Sequence, residues 1–306
     1  MTTTVPDRIA LIGGSGRLGR LVAARLAEDG TWPLRLLTRA PDAARAALGD
    51  RAEVVAGDIG DDAALAALLD GASRLFLLTP IAADLAVLQT RAINAAARAG
   101  VSRIVKLSGS DWTITNRHRS RAGEQHALVE ERLVEAPVAS VAIRPNAWMQ
   151  TGLAAQIAAW KAGGEGPPPE RDAPVASIDI RDIAEAAAIS LISDKHFGRT
   201  YNLNGPAILS GPRVASIWSK ALGKEIKYAG ENLDSFEEQM RKHAPSWAAF
   251  DIRMMFQRYL ERGFVAEDGD AATLTKLLGH EPRTYEDFAR EAATEWQKAA
   301  NSRAAA

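Results

Sequence analysis

The 306-residue chain carries 37 Lys and Arg against 38 Asp and Glu, a formal net charge of −1, so it lacks the basic surplus of a nucleic-acid binder. It has no cysteine, which excludes disulfides, thiolate catalysis and cysteine-held zinc, and its five histidines form no H-x-x-x-H pair, so no metal is expected. No uninterrupted apolar stretch reaches the length of a membrane span, and the opening M-T-T-T-V-P-D has no basic region leading into an apolar core; the expected setting is cytoplasmic.

The first element carries the most information. Residues 8–22 read R-I-A-L-I-G-G-S-G-R-L-G-R-L-V: an apolar run from Ile9 to Ile12 stops at Gly13, glycines recur at Gly16 and Gly19, and a helix-forming segment follows from Arg17 to about Glu28. Strand, glycine turn and helix in that order put bare backbone N–H groups and the positive end of a helix dipole at one spot, which suits a pyrophosphate. In this reading Gly13 takes the sharp turn, Gly16 leaves no Cβ between chain and ligand, and Gly19 lets the helix pack close to the strand. Gly13, Ser15, Gly16, Arg17, Leu18 and Gly19 are therefore the candidate phosphate cradle.

Further strands are expected at Leu34–Thr38, Glu53–Ala56, Leu75–Thr79, Arg103–Ser108 and Ser140–Arg144, with helices between them at about 41–48, 61–70, 84–99 and 120–135. Short strands separated by helices imply right-handed crossovers and a parallel sheet. Asp61 is placed to cap its helix and Gly100 to end the next. Beyond Asn146 the texture changes. A long Ala-rich helix is expected at about 147–162, then a Gly- and Pro-rich loop (163–169), a short strand (Val175–Ile178), a helix from Arg181 to about Ile192 and a strand at 199–205. Helices follow at 212–222, 234–243, 246–262, 270–278 and 285–299, the last capped by Thr284 with Asp287, and the Ala-rich tail after Asn301 reads as disordered. The fold class is α/β: a doubly wound parallel Rossmann sheet over residues 1–150, with a smaller, mostly helical substrate-binding lobe over 151–306 that contributes some strands to the sheet.

Several segments carry a resemblance: G-D-I-G-D-D-A-A-L-A-A-L-L-D-G (57–71), L-F-L-L-T-P (75–80), A-A-A-R-A-G-V-S-R-I-V-K-L-S (95–108), A-I-R-P-N-A-W-M-Q (142–150), I-D-I-R-D-I-A (178–184), G-R-T-Y-N-L-N-G-P (198–206) and L-L-G-H-E-P-R-T-Y-E-D-F (277–288). From Ile9 to about Trp296 the chain resembles the NmrA-like family of atypical short-chain dehydrogenases, which contains both NAD(P)H-dependent reductases and redox-sensing regulators that bind the dinucleotide without turning it over. The resemblance implies a Rossmann fold and a nicotinamide dinucleotide. It also implies that Thr79 and Pro80, at the end of the fourth strand, lie against the nicotinamide half, although Pro80 also simply stops the strand.

In NAD-specific Rossmann domains an acidic side chain about 20 residues after the glycines holds the ribose 2′-hydroxyl. Here the second strand ends L-L-T-R, so Arg39 stands in that place, and a planar cation there suits a 2′-phosphate; Arg17 supplies a second charge. NADP(H) is expected over NAD(H). Asp58, followed by Ile59, either reaches the adenine amino group or organises the loop before Asp61.

A Tyr-x-x-x-Lys pair, the usual proton donor of short-chain dehydrogenases, is absent from the nucleotide domain. The first tyrosine is Tyr201, and the only lysine before Lys161 is Lys106, inside a strand. The remaining catalytic candidates are Ser108, at the end of the fifth strand, and His126, where one branch of the family carries a catalytic lysine. Glu130, one turn on, either orients His126 or belongs to a solvated acidic face with Glu131 and Glu135. Asn146, Trp148 and Met149, with Trp160, read as the lining of an apolar substrate pocket, while Trp148 reads equally as core. The resulting expectation is an NADP(H)-dependent reductase passing hydride to a small planar electron-poor acceptor (quinone, iminium, enone or dye-like cation), the alternative being a non-catalytic redox sensor. Monomer and homodimer both stay open.

Overall fold

Short segments rich in Leu, Ile and Val form inner strands that are buried on both faces, as a covered parallel sheet requires, while the two edge strands at 53–56 and 199–203 are partly exposed. The computed structural model describes residues 7–151, 175–227, 233–242, 244–263 and 270–304. Its strands are β1 (Arg8–Ile12), β2 (Leu34–Thr38), β3 (Glu53–Ala56), β4 (Ala72–Leu77), β5 (Arg103–Leu107), β6 (Ala139–Pro145) and β7 (Arg199–Leu203). They make one seven-stranded sheet in the order β3-β2-β1-β4-β5-β6-β7. Pairs from β3 through β6 are parallel, with Ile9 opposite Leu34, Ile12 opposite Leu77, and Lys106 between Leu77 and Ala142. β7 joins β6 in the same sense: Gly198 N–H donates to Ser140 O and Asn146 N–H to Leu203 O. The order reverses between β1 and β4, so the crevice beyond their carboxyl ends is the expected ligand position.

The helices between the strands are α1 (Arg17–Asp29), α2 (Pro41–Leu48), α3 (Asp62–Leu69), α4 (Leu85–Arg98), the short α5 (Asp111–Thr115), α6 (Arg121–Glu135) and α7 (Ile180–Ile192). One face of the sheet packs Leu75, Leu77 and Ile104 against Leu65, Leu68 and Leu69 of α3, Ile93 of α4, and Val129 and Leu133 of α6. Each such side chain, when fully buried, contributes about 1.5–3 kcal/mol. Asp61 accepts from Ala63 N–H at 2.9 Å, as a helix cap should. The short helix α5, whose N-cap is Ser110, is an element no sequence signal marked.

Contacts divide the chain into two units, residues 1–145 with 181–202, and 146–180 with 203–306. The first change of unit falls after Pro145, and α7 from Arg181 with β7 as far as Asn202 returns to the first unit. The second unit contains α8 (Gly211–Leu222), α9 (Leu233–Arg241), α10 (Ser246–Arg262), α11 (Asp270–Leu278) and α12 (Tyr285–Ala304). Trp218, fully buried, stacks on Trp296 with ring centroids 5.1 Å apart and meets Phe288 edge-on at 5.9 Å. Asp287 N–H donates to Thr284 Oγ1 at 3.1 Å, the expected cap of α12.

Three expectations change. Residues 147–151 form a bridge and turns instead of the start of a helix, because Trp148 pairs with Ile178; the remainder of 147–162 and the loop at 163–169 lie outside the described residues. Val175–Ile178 makes only isolated bridges, Val175 to Leu209 and Ile178 to Trp148. The tail is helical through Ala304, since alanine is the best helix former and nothing in Ala299–Ala304 interrupts α12.

Candidate active site

At the end of β1 the glycines act by geometry. Gly13 has φ +82°, and a Cβ there would lie 2.3 Å from Leu78 O. A Cβ on Gly19 would stand 2.0 Å from Gly13 O, so only glycine lets α1 approach the strand this closely. Gly16 differs: a Cβ would meet nothing nearer than Gly13 O at 3.4 Å, leaving its outer side open to a ligand. Gly14 was not singled out from the sequence, yet a Cβ there would press on Leu11 Cβ at 3.0 Å. No side chain caps the N-terminus of α1 at Gly16, so its first N–H groups remain available for an anion. Ser15 Oγ bonds Thr38 Oγ1 at 3.1 Å, tying the turn to β2, while Leu18 is buried in the core and Arg17 is exposed.

Arg39, just past β2, has a side chain 79% exposed, with Nε 3.6 Å from Asp58 Oδ2. Asp58 also accepts from Gly60 N–H at 2.9 Å, so it organises its own loop, and Ile59 packs on the core. After β4, Thr79 Oγ1 accepts from Gln89 Nε2 at 2.7 Å, and Pro80 is exposed. Gln89 is fully buried and its Oε1 has no partner. This cradle would be filled by any side chain at Gly13 or Gly19, and it has an open Gly16 side, a free helix terminus and an exposed arginine. Those features fit a dinucleotide that carries a 2′-phosphate.

Ser108 and His126 are brought together by a residue set aside in the sequence reading. Along β5, Ile104, Lys106 and Ser108 alternate onto the face covered by α6, and on α6 His126 and Glu130 are one turn apart. Lys106 is fully buried, and its Nζ lies 2.9 Å from His126 Nδ1, 3.0 Å from Ser108 Oγ and 3.3 Å from Leu107 O. Ser108 Oγ donates to Glu130 Oε1. Glu130 is gripped by Arg144 of β6, through Nε at 3.1 Å and Nη2 at 2.6 Å, and Arg144 Nη1 reaches Asp111 of α5 at 2.8 Å. Glu130 thus serves Ser108 and Arg144 and does not orient His126. The signal available in the sequence was a lysine interrupting an apolar strand two residues before Ser108.

Burial pushes Lys106 down from 10.5 to about 7, with the Glu130 charge pulling it up and Arg144 pushing it further down. Burial, and then the Lys106 charge, hold His126 well below 6.5, so the imidazole is neutral at neutral pH. Arg144 loses to burial but gains more from Glu130 and Asp111, and its pKa is raised.

Asn146, Trp148 and Met149 belong to the second unit. Asn146 is buried, donating Nδ2–H to Asn204 Oδ1 at 2.7 Å and accepting Ala147 N–H at 2.9 Å. Met149 sits in the cluster of Trp218, Leu209 and Phe288, and Trp148 is half-buried at its bridge to Ile178. Trp160 lies outside the described residues. Among the described residues no cluster of His, Cys, Asp or Glu could hold a metal, and no helix is long and apolar enough to cross a membrane.

A family model for the NmrA-like family matches residues 6–289. The chain is 31% identical to a (4-alkanoyl-5-oxo-2,5-dihydrofuran-3-yl)methyl phosphate reductase of Streptomyces griseus, over 92% of this chain and 97% of that protein. It is 27% identical to an NAD(P)H azoreductase of Xenophilus azovorans, over 92% of this chain and 96% of the other. The crystal structure of an NADPH-dependent quinone oxidoreductase from Escherichia coli, complexed with NADPH, superposes with a TM-score of 0.80 at 26% identity, covering 94% of this chain and 99% of that one.

Proposed function

The chain belongs to the NmrA-like family, and from that footing we propose that it is an NADP(H)-dependent reductase of small, planar, electron-poor organic acceptors. The observation that carries the reading is the glycine turn at the topological switch point, open at Gly16 and followed by an uncapped helix terminus, with exposed Arg39 one strand away. Relatives named as an NAD(P)H azoreductase, a (4-alkanoyl-5-oxo-2,5-dihydrofuran-3-yl)methyl phosphate reductase and a quinone oxidoreductase support an enzyme of this kind and do not favour the non-catalytic sensor.

When bound, NADPH supplies hydride from nicotinamide C4. The protein's own tasks would be to hold the diphosphate on the N–H groups around Gly13–Gly19, to meet the 2′-phosphate with Arg39, and to place Thr79 and Pro80 against the nicotinamide half. An iminium or a dye-like cation is neutralised by hydride alone, and positioning then provides most of the catalysis. A quinone or enone also needs a proton. Ser108 has its hydrogen on Glu130 and a lone pair on Lys106, so His126 is the better donor of the two candidates.

The test follows NADPH oxidation in the near-ultraviolet against quinones, enones, iminium compounds and triarylmethane dyes. We expect turnover with at least one class, and His126→Ala lowering quinone reduction by about 10²-fold, the low end for a lost general acid. Tight NADPH binding with no turnover on any acceptor would overturn the enzyme and restore the sensor.

A further inference from the structure

We infer that Lys106 is the positioning residue that loads His126 with its proton: the ammonium fixes the ring with Nδ1 bare and Nε2 protonated, and refills it through Nδ1 as Nε2 gives a proton to the reduced acceptor. The inference rests on the reductase reading above for its chemistry, but its geometry stands apart from it.

Nothing in the fold requires a lysine in the centre of a parallel sheet, flanked by Leu77 and Ala142 on the neighbouring strands. A buried ammonium survives only when its donors are satisfied, and Lys106 has three N–H donors and three acceptors: Leu107 O, Ser108 Oγ and His126 Nδ1. An ammonium has no lone pair, so in its charged state the nitrogen facing it must accept. A neutral imidazole that accepts at Nδ1 carries its hydrogen on Nε2. Among the described residues nothing takes up that Nε2, and it is not one of the polar atoms sealed from solvent. Gly109 leaves room for the ring, since a Cβ there would stand 3.2 Å from His126 Cδ2.

The charges that face Lys106 come from three elements and balance. Glu130 of α6 lies behind Ser108, Arg144 of β6 neutralises Glu130, and Asp111 of α5 neutralises Arg144. That ladder keeps Ser108 oriented as an acceptor toward Nζ. It also leaves Lys106 able to exist as ammonium or amine near neutral pH.

The step conserves atoms and charge. The Nε2–H bond breaks as the acceptor's heteroatom takes the proton. One N–H bond of Lys106 breaks as Nδ1–H forms. Lysine passes from ammonium to amine, and the imidazole stays neutral, changing only its tautomer. The hydride comes from the dihydronicotinamide, so a quinone leaves as hydroquinone; a solvent proton then returns to Nζ by the reverse path. Histidine can thereby deliver a proton without becoming an imidazolium, which its buried site disfavours.

The direct test is nitrogen-15 NMR of histidine-labelled protein, with His126 assigned by loss of its signals in His126→Gln. At pH 6 we expect an unprotonated Nδ1 and a protonated Nε2, with the Nδ1 signal moving as pH rises through about 7. Lys106→Met keeps the length and apolar stem of the side chain but has no proton, and should abolish the fixed tautomer. In kinetics, Lys106→Met should reduce quinone turnover at least tenfold more than it reduces turnover of a triarylmethane cation. An imidazolium or an Nδ1–H tautomer in the wild type at pH 6 would overturn the inference, as would equal losses with quinone and cation. If the wild type reduces neither acceptor, the reductase reading falls, while the NMR result still judges the Lys106–His126 pair even if the methionine variant fails to fold.

Discussion

Arg39 and Lys106 are both cations, and burial gives them different work. The Arg39 side chain stands mostly in water with Asp58 at 3.6 Å, an exposed pair that contributes about 0–1 kcal/mol, so exchanging that partner for a phosphate costs little. A hydrogen bond to a charged group contributes about 1.5–3 kcal/mol. Arg39→Ala should therefore weaken NADPH binding about 10- to 100-fold and leave NADH binding nearly unchanged, as measured by calorimetric titration. Lys106, by contrast, is held in a dry site where its ammonium persists only up to about pH 7. Quinone turnover should fall as pH rises through that value, because the amine has no proton to pass on, whereas reduction of a cationic dye should stay flat there. A kcat profile with both acceptors from pH 5.5 to 9 reads the difference.

Among the elements, the β1 turn separates two uses of glycine. A methyl at Gly19 would lie 2.0 Å from Gly13 O, and α1 cannot move off the strand without losing Val22 and Leu26 from the core. Gly19→Ala should cost about 1–3 kcal/mol as overpacking, seen as a lower urea midpoint. Gly16→Ala meets only ordinary contact within the protein, so stability should change little while NADPH affinity drops, because the methyl fills the ligand's side of the turn. If both variants instead lose stability and binding alike, this division of labour is wrong. The same periodic logic places the proton network: alternation on β5 puts Lys106 beside Ser108, and one helical turn on α6 puts His126 beside Glu130.

Over the whole molecule, Lys106 leaves a signature in stability. Its folded pKa of about 7 is depressed from 10.5, so between those values the unfolded chain binds the extra proton and stability rises with pH. The penalty is fully present below about pH 7 and is gone above 10.5. Urea unfolding from pH 7 to 10 should show this rise, and Lys106→Met should flatten it. The second unit rests instead on aromatic packing around Trp218, which is fully buried against Trp296 and Phe288. Trp218→Ala should destabilise by about 3–5 kcal/mol in urea denaturation.

The strands and helices, their alternation and the glycine turn could be read from the chain, because each is marked by residues close to one another in sequence. Apolar runs, caps and glycine spacing are local, and so is the choice between a carboxylate and an arginine at the end of β2. The proton network was hidden for the opposite reason. Lys106, His126, Glu130 and Arg144 come from β5, α6 and β6, and one-dimensional spacing cannot say which face of a central strand meets which face of a helix. Nor could it say that Asn146 and Met149 turn into the packing of the second unit, since that depends on Asn204 and Trp218, far along the chain. Burial converts a lysine that looked like an irregularity in a strand into a group that titrates near neutrality, and burial exists only once the layers have closed.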